Sequence, residues 1–89
     1  MGKKFDDTLK YLDSDYSVKG IDLEECIYRK IGNIEIEISG LQSYGKYDAT
    51  IFIWENEVHM LKSIQDISSK EELARRLETV VQELLLHTD

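Results

Sequence analysis

The chain of 89 residues carries 11 lysines and arginines against 18 aspartates and glutamates, a formal net charge of −7 at pH 7. A chain of this length makes one domain, residues 1–89, and buries only about 60 to 65% of the surface that its unfolded form exposes. Hydrophobic content of 42% with 33% charged residues is globular rather than disordered composition, and no run reaches the roughly 18 to 20 apolar residues of a membrane span.

The chain begins MGKKFDDTLK, with two lysines and no apolar stretch behind them, which fits neither a signal peptide nor an anchor. Acylation of Gly2 is disfavoured because Asp6 stands where the myristoylation pattern takes Ser or Thr. Phe5, Leu9, Leu12 and Tyr16 recur at intervals of four, three and four, the apolar stripe of an amphipathic helix over about residues 4–13. DSDYSVKG then ends the helix, Tyr16 and Val18 alternate as in extended chain, and Ile21 and Leu23 are expected to tuck a connecting loop onto the core.

In CIYRKIGNIEIEIS two β-rich runs flank Gly32-Asn33, a dipeptide suited to the positive φ of a tight hairpin. A two-residue loop predicts Ile31 opposite Ile34, Arg29 opposite Ile36 and Ile27 opposite Ile38 on one face. On the other face it sets Lys30 opposite Glu35 and Tyr28 opposite Glu37. A Lys30–Glu35 pair of this kind contributes about 0.2 to 1 kcal/mol.

After a loop at GLQSYG, the stretch KYDATIFIWENEVHMLKSI is expected to form a second hairpin turning at Glu55-Asn56. That turn would place Ile53 against Val58 and Ile51 against Met60, with Phe52–His59 and Trp54–Glu57 on the opposite face. The closing segment SSKEELARRLETVVQELLLHTD shows an N-cap at Ser69, Glu72 three residues later, and a buried stripe of Leu73, Leu77, Val80 and Leu84. It predicts a helix over about residues 69–86, with i,i+4 pairs Glu71–Arg75 and Glu72–Arg76. The sum is a two-layer α+β fold: a short N-terminal helix, a four-stranded antiparallel meander, and a longer C-terminal helix packed on one sheet face.

Catalytic and metal chemistry find little to work with. Cys26 is the one cysteine, so no internal disulfide forms, and Glu24 and Glu25 beside it raise a thiol pKa rather than activate it. With no Asn-X-Ser/Thr acceptor either, the expected compartment is the cytoplasm. His59 and His87 lie in different elements, which argues against a zinc site, and the glycines match neither the P-loop nor the dinucleotide fingerprint. The expectation is therefore no enzyme, no catalytic residues, no metal and no cofactor.

The feature that remains is an aromatic and acidic sheet face, with Tyr28, Phe52 and Trp54 among Glu35, Glu37, Glu55 and Glu57. Aromatic stacking on a sheet is one way to read single-stranded nucleic acid, but those carboxylates repel phosphates, so direct nucleic-acid binding is not expected. Three uses of the face stay open: a surface covered by other parts of the chain, self-association across a twofold axis, and a contact surface for another protein with a basic face.

The stretch LKYLDSDYSVKG, a short helix running into Asp15-Tyr16-Ser17-Val18-Lys19, followed by a meander and a closing helix, resembles the start of the small acidic inhibitors of the anti-CRISPR type encoded by bacterial viruses. The resemblance implies an inhibitor of a nucleic-acid-handling enzyme whose carboxylates stand in for DNA phosphates in a basic groove. The leading expectation is thus a protein-binding module using Glu35, Glu37, Glu55, Glu57, Trp54, Phe52 and Tyr28. The alternative is a structural or regulatory homo-oligomer, in its simplest form a homodimer, without a dedicated ligand.

Overall fold

The computed structural model describes residues 3–21, 24–42 and 45–87, with Ile21 and His87 described by backbone alone. Helix α1 (Lys3–Tyr11) is followed by strands β1 (Ser17–Ile21), β2 (Glu24–Ile31), β3 (Ile34–Ser39), β4 (Ala49–Glu55) and β5 (His59–Ile67), and the chain closes with helix α2 (Lys70–His87). The five strands form one antiparallel sheet in the order β1-β2-β3-β4-β5.

The sheet has five strands where the sequence predicted four. Ser17–Ile21 is the added one, pairing with β2 so that Val18 faces Ile27 and Lys19 faces Cys26. Ile21 is the last residue of that strand rather than part of a connecting loop, and Leu23 lies outside the described residues, as does Gly2. Lys19-Gly20 in its middle hides the strand, because neither residue carries the β-branched or aromatic side chain that marks one.

The β2–β3 register agrees with the expected one at every position: Ile27 opposite Ile38, Tyr28 opposite Glu37, Arg29 opposite Ile36, Lys30 opposite Glu35 and Ile31 opposite Ile34. Gly32 has φ +60, which suits the first central position of a two-residue hairpin turn. The second hairpin departs from expectation. Its loop is Asn56-Glu57-Val58, and Trp54 pairs with Met60, Ile53 with Lys62, Phe52 with Ser63 and Ile51 with Ile64.

The cause is left-handed backbone at two residues that are not glycine, Asn56 (φ 54) and Glu57 (φ 68), which makes the loop one residue longer than a Glu55-Asn56 turn. Irregular pairing between Ile53 and Trp54 then shifts the partner strand again. Val58 and Met60, expected to sit under isoleucines, are instead exposed.

The two hairpin ends are tied together by a hydrogen bond from the Asn56 amide to the Asn33 carbonyl, 2.9 Å. At the other end of β3, Gly40 has φ +90, and a Cβ there would collide with the Asp48 carbonyl oxygen. Only glycine lets the chain leave β3 that close to the start of β4.

Alternation along the strands sorts the side chains into a dry set and a mixed set. Ile27, Ile36, Ile38, Ile51 and Ile53 are buried together with Phe5 of α1 and Leu73, Leu77 and Val80 of α2 in one core cluster. On α1 the second buried residue is Thr8, whose hydroxyl shares a 2.8 Å hydrogen bond with that of Tyr47 and ties the helix to the loop before β4. Arg29 shares the isoleucine face. Its guanidinium lies 3.6 Å from the Asp15 carboxylate and over the Tyr16 ring, so the charged end leaves the core while its stem packs.

Helix α2 starts where its cap predicts. The Glu72 amide donates to Ser69 Oγ at 3.0 Å, and the Glu72 carboxylate reaches back one residue further than a standard capping box, accepting from the Ser68 amide and hydroxyl. Of the two expected intrahelical pairs, Glu72–Arg76 is present at 4.0 Å.

Candidate functional site

Strands β1 to β4 turn Lys19, Cys26, Tyr28, Lys30, Glu35, Glu37, Phe52 and Trp54 to the face opposite the isoleucines. The registers set Glu35 beside Trp54 and Glu37 between Tyr28 and Phe52. On this face lies a concavity of about 410 Å³, lined by Lys19, Gly20, Tyr28, Glu35, Glu37, Trp54 and Glu57.

Five of the seven residues expected to form the site therefore meet in one hollow. Phe52 lies on the same face next to Glu37, half-buried, outside the lining. Glu55 pairs with Ile34 and His59, which puts it at the end of the isoleucine face instead. Lys19 and Gly20 were missed because they belong to the strand that the sequence conceals. The Tyr16-Val18 alternation, carried on to residue 21, is the signal that would have placed Lys19 on this face.

Glu35 is the least expected of the set. Period-two alternation makes it a solvated carboxylate on a wet face, yet it is only 5% exposed. Its Oε1 accepts a hydrogen bond from the Tyr28 hydroxyl and lies 3.4 Å from the Lys19 ammonium. The expected partner, Lys30, stands opposite it in register but is exposed, and its charge acts only at longer range. Burial of a carboxylate is tolerable when its lone pairs are satisfied and a cation is near, and both conditions are met here.

The electrostatics follow from this pairing. The Tyr28 hydrogen bond, helped by Lys19 and more distantly by Lys30, holds the Glu35 carboxyl below the usual carboxylate range against the opposing effect of burial. Burial, and then the hydrogen bond to the Glu35 carboxylate, pushes the Tyr28 hydroxyl up to about 12. The Lys19 ammonium also sits 4.4 Å from the centre of the Tyr28 ring, so a cation, an aromatic face and a carboxylate form one contact set.

Cys26, on the same face, is buried, and burial together with Glu37 and Glu24 pushes its thiol up to about 11. At neutral pH that is a packed thiol and a poor nucleophile. Among the described residues, no group of three or more His, Cys, Asp or Glu side chains is arranged to hold a metal ion, and no helix is long and apolar enough to cross a membrane.

Fold and site together define a small acidic α+β protein with a five-stranded antiparallel meander and an aromatic, carboxylate-lined hollow on one sheet face. Compared with models of protein families, with curated proteins and with solved structures, the chain finds no match.

Proposed function

We propose that the protein works by binding another protein, without catalysis, and that the contact surface is the aromatic and acidic face of the sheet. In this reading the two helices cover the isoleucine face and leave the other face for contact inside the cell. The observation that carries it is the hollow itself. Tyr28 and Trp54 are half-buried around it, and Glu35, Glu37 and Glu57 outnumber the single ammonium of Lys19, leaving a net charge of −2 among its lining residues. Aromatic anchors within a charged rim are the composition of an interface hot spot, and the sign of the charge selects a basic partner.

The narrower form of the reading, taken from the resemblance to virus-encoded anti-CRISPR inhibitors, is that the partner is a nucleic-acid-handling enzyme whose basic groove takes these carboxylates in place of phosphates. A second reading is a homo-oligomer. It is favoured by the exposed apolar side chains Val58, Met60 and Leu61 near the β4–β5 turn and Leu86 at the end of α2.

Affinity capture with the wild-type chain and a Glu37→Gln/Glu57→Gln/Trp54→Ala variant tests the first reading. Glu35 is left intact because it is buried, and its loss would disturb the fold as well as the surface. Capture should weaken in the variant and in raised salt, while a dispersed amide spectrum shows the fold unchanged. Equal capture by both proteins removes the reading. Light scattering tests the second, since a monomer at all concentrations is incompatible with it.

A further inference from the structure

We infer that the hollow bounded by Tyr28 and Trp54 is a receptor for one arginine side chain of the partner, its guanidinium stacking on the Trp54 indole and donating to the carboxylates of Glu37 and Glu57. The inference rests on the reading that this face contacts a basic partner, and it names the group recognised.

The wall of the hollow already displays the chemistry. Lys19 places its ammonium 4.4 Å from the centre of the Tyr28 ring and 3.4 Å from Glu35 Oε1, so a cation held between an aromatic face and a carboxylate is part of the fold. That arrangement uses Tyr28 and Glu35. Trp54, directly beside Glu35 in register, and the carboxylates of Glu37 and Glu57 line the remainder of a volume of about 410 Å³. The space admits a long side chain, and the surplus negative charge attracts a positive one.

The choice between the two basic side chains follows from solvation and shape. An ammonium is compact and strongly hydrated, and it has no flat face to lay against an indole. A guanidinium is planar, more weakly hydrated, stacks on an aromatic face and keeps its edge N–H groups available for carboxylates. Tryptophan is the most favourable of the aromatic faces for a cation, and hydrogen bonds with both groups charged are roughly twice as strong as neutral ones.

Trp54 is the only tryptophan in the chain, so it reports its own occupancy. The test titrates the protein with end-blocked Gly-Gly-Arg-Gly-Gly and with its lysine and citrulline counterparts, followed by Trp54 fluorescence and the indole N–H resonance. The arginine peptide should shift Trp54 saturably and at least about fivefold more tightly than the lysine peptide, with citrulline inactive, a preference set by stacking and paired charge. Glu37→Gln/Glu57→Gln should weaken the arginine peptide about tenfold or more, the loss of two charge-assisted contacts, with an unchanged amide spectrum.

Equal affinities for arginine and lysine, or no saturable shift up to about 20 mM peptide, overturn the inference. So does a Trp54 shift that grows with protein concentration alone, which would mean that Arg75 or Arg76, both exposed on α2, fills the hollow of a second copy. The two proposals fail separately. Capture that depends on this face without an arginine preference removes the receptor and keeps the contact surface. An arginine preference with capture indifferent to the face does the reverse.

Discussion

The two faces of the sheet carry the same alternation and have opposite fates. On one, Ile27, Ile36, Ile38 and Ile51 are almost wholly removed from water and meet the helices' buried residues. On the other, Tyr28, Glu37, Phe52 and Trp54 keep partial exposure, and a single carboxylate, Glu35, is buried among them. A dry face is held by area and shape, whereas the mixed face is held by a few directed contacts around Glu35. The two should therefore respond to different perturbations.

The largest separation is expected from truncation. Ile36→Ala, which removes a fully buried side chain, should cost about 2 to 5 kcal/mol in urea or thermal unfolding through lost burial and the cavity left behind. Phe52→Ala on the opposite face should cost clearly less, since Phe52 is only half-buried. Equal losses would mean that the second face is packed as tightly as the first.

Next in size is Glu35→Gln, which removes the ionised acceptor of Tyr28 and the partner of Lys19. It should destabilise by about 1 to 3 kcal/mol, the range for leaving buried polar groups poorly satisfied. Glu37→Gln, at a half-buried site, should cost less. The pH profile sharpens this contrast. Because the folded Glu35 pKa is depressed, its contribution is present above the ordinary carboxylate value of 4.5 and is lost as pH falls through the lower folded value. Acid unfolding should therefore be shallower in Glu35→Gln, with Glu72, also depressed through its hydrogen bond from the Ser68 amide, supplying part of what remains.

The smallest effect is expected on the alkaline side. Tyr28 is raised from 10.0 to about 12, so the stability it contributes is present below pH 10 and is lost as pH rises through 12. Tyr28→Phe should flatten the unfolding profile between pH 10 and 12, and Tyr16 and Tyr47, both raised by burial, should leave a residual slope. An unaltered profile in the variant would mean that the Tyr28 hydroxyl is neither buried nor held by Glu35 in solution.

How far the sequence could be read depended on how local each determinant was. Gly32-Asn33 admits a short loop, so one dipeptide settles five cross-strand pairs. The stripe and cap of α2 are equally local. The β4–β5 register was not legible because Asn56 and Glu57 adopt positive φ without being glycine, and each added residue turns the side chains of the following strand over. β1 was not legible because its one apolar residue facing the core side, Val18, is 41% exposed, a weak pattern for an edge strand.

The candidate site divides in the same way. Tyr28 and Glu37 were expected together because they lie across the first hairpin, and they are together. Glu35 was assigned to Lys30, its nearest cation by register, whereas its ion pair is with Lys19, two strands away across the sheet. Alternation tells which way a side chain leaves the strand but not what will come to lie over it. That information resides in the order of the strands.

That order, β1-β2-β3-β4-β5, has a kinetic consequence. Every strand pairs with its neighbour in the chain, so no pairing has to wait for a distant segment to be found. Loop-closure entropy is small at each step, and the shortest connections, two residues each, join β1 to β2 and β2 to β3, which makes those pairings the least costly with which to begin. The sheet can grow from these three strands toward β5. Lys19 lies on β1 and Glu35 on β3, the outer two of those three, so the carboxylate can gain its cation before the sheet is completed.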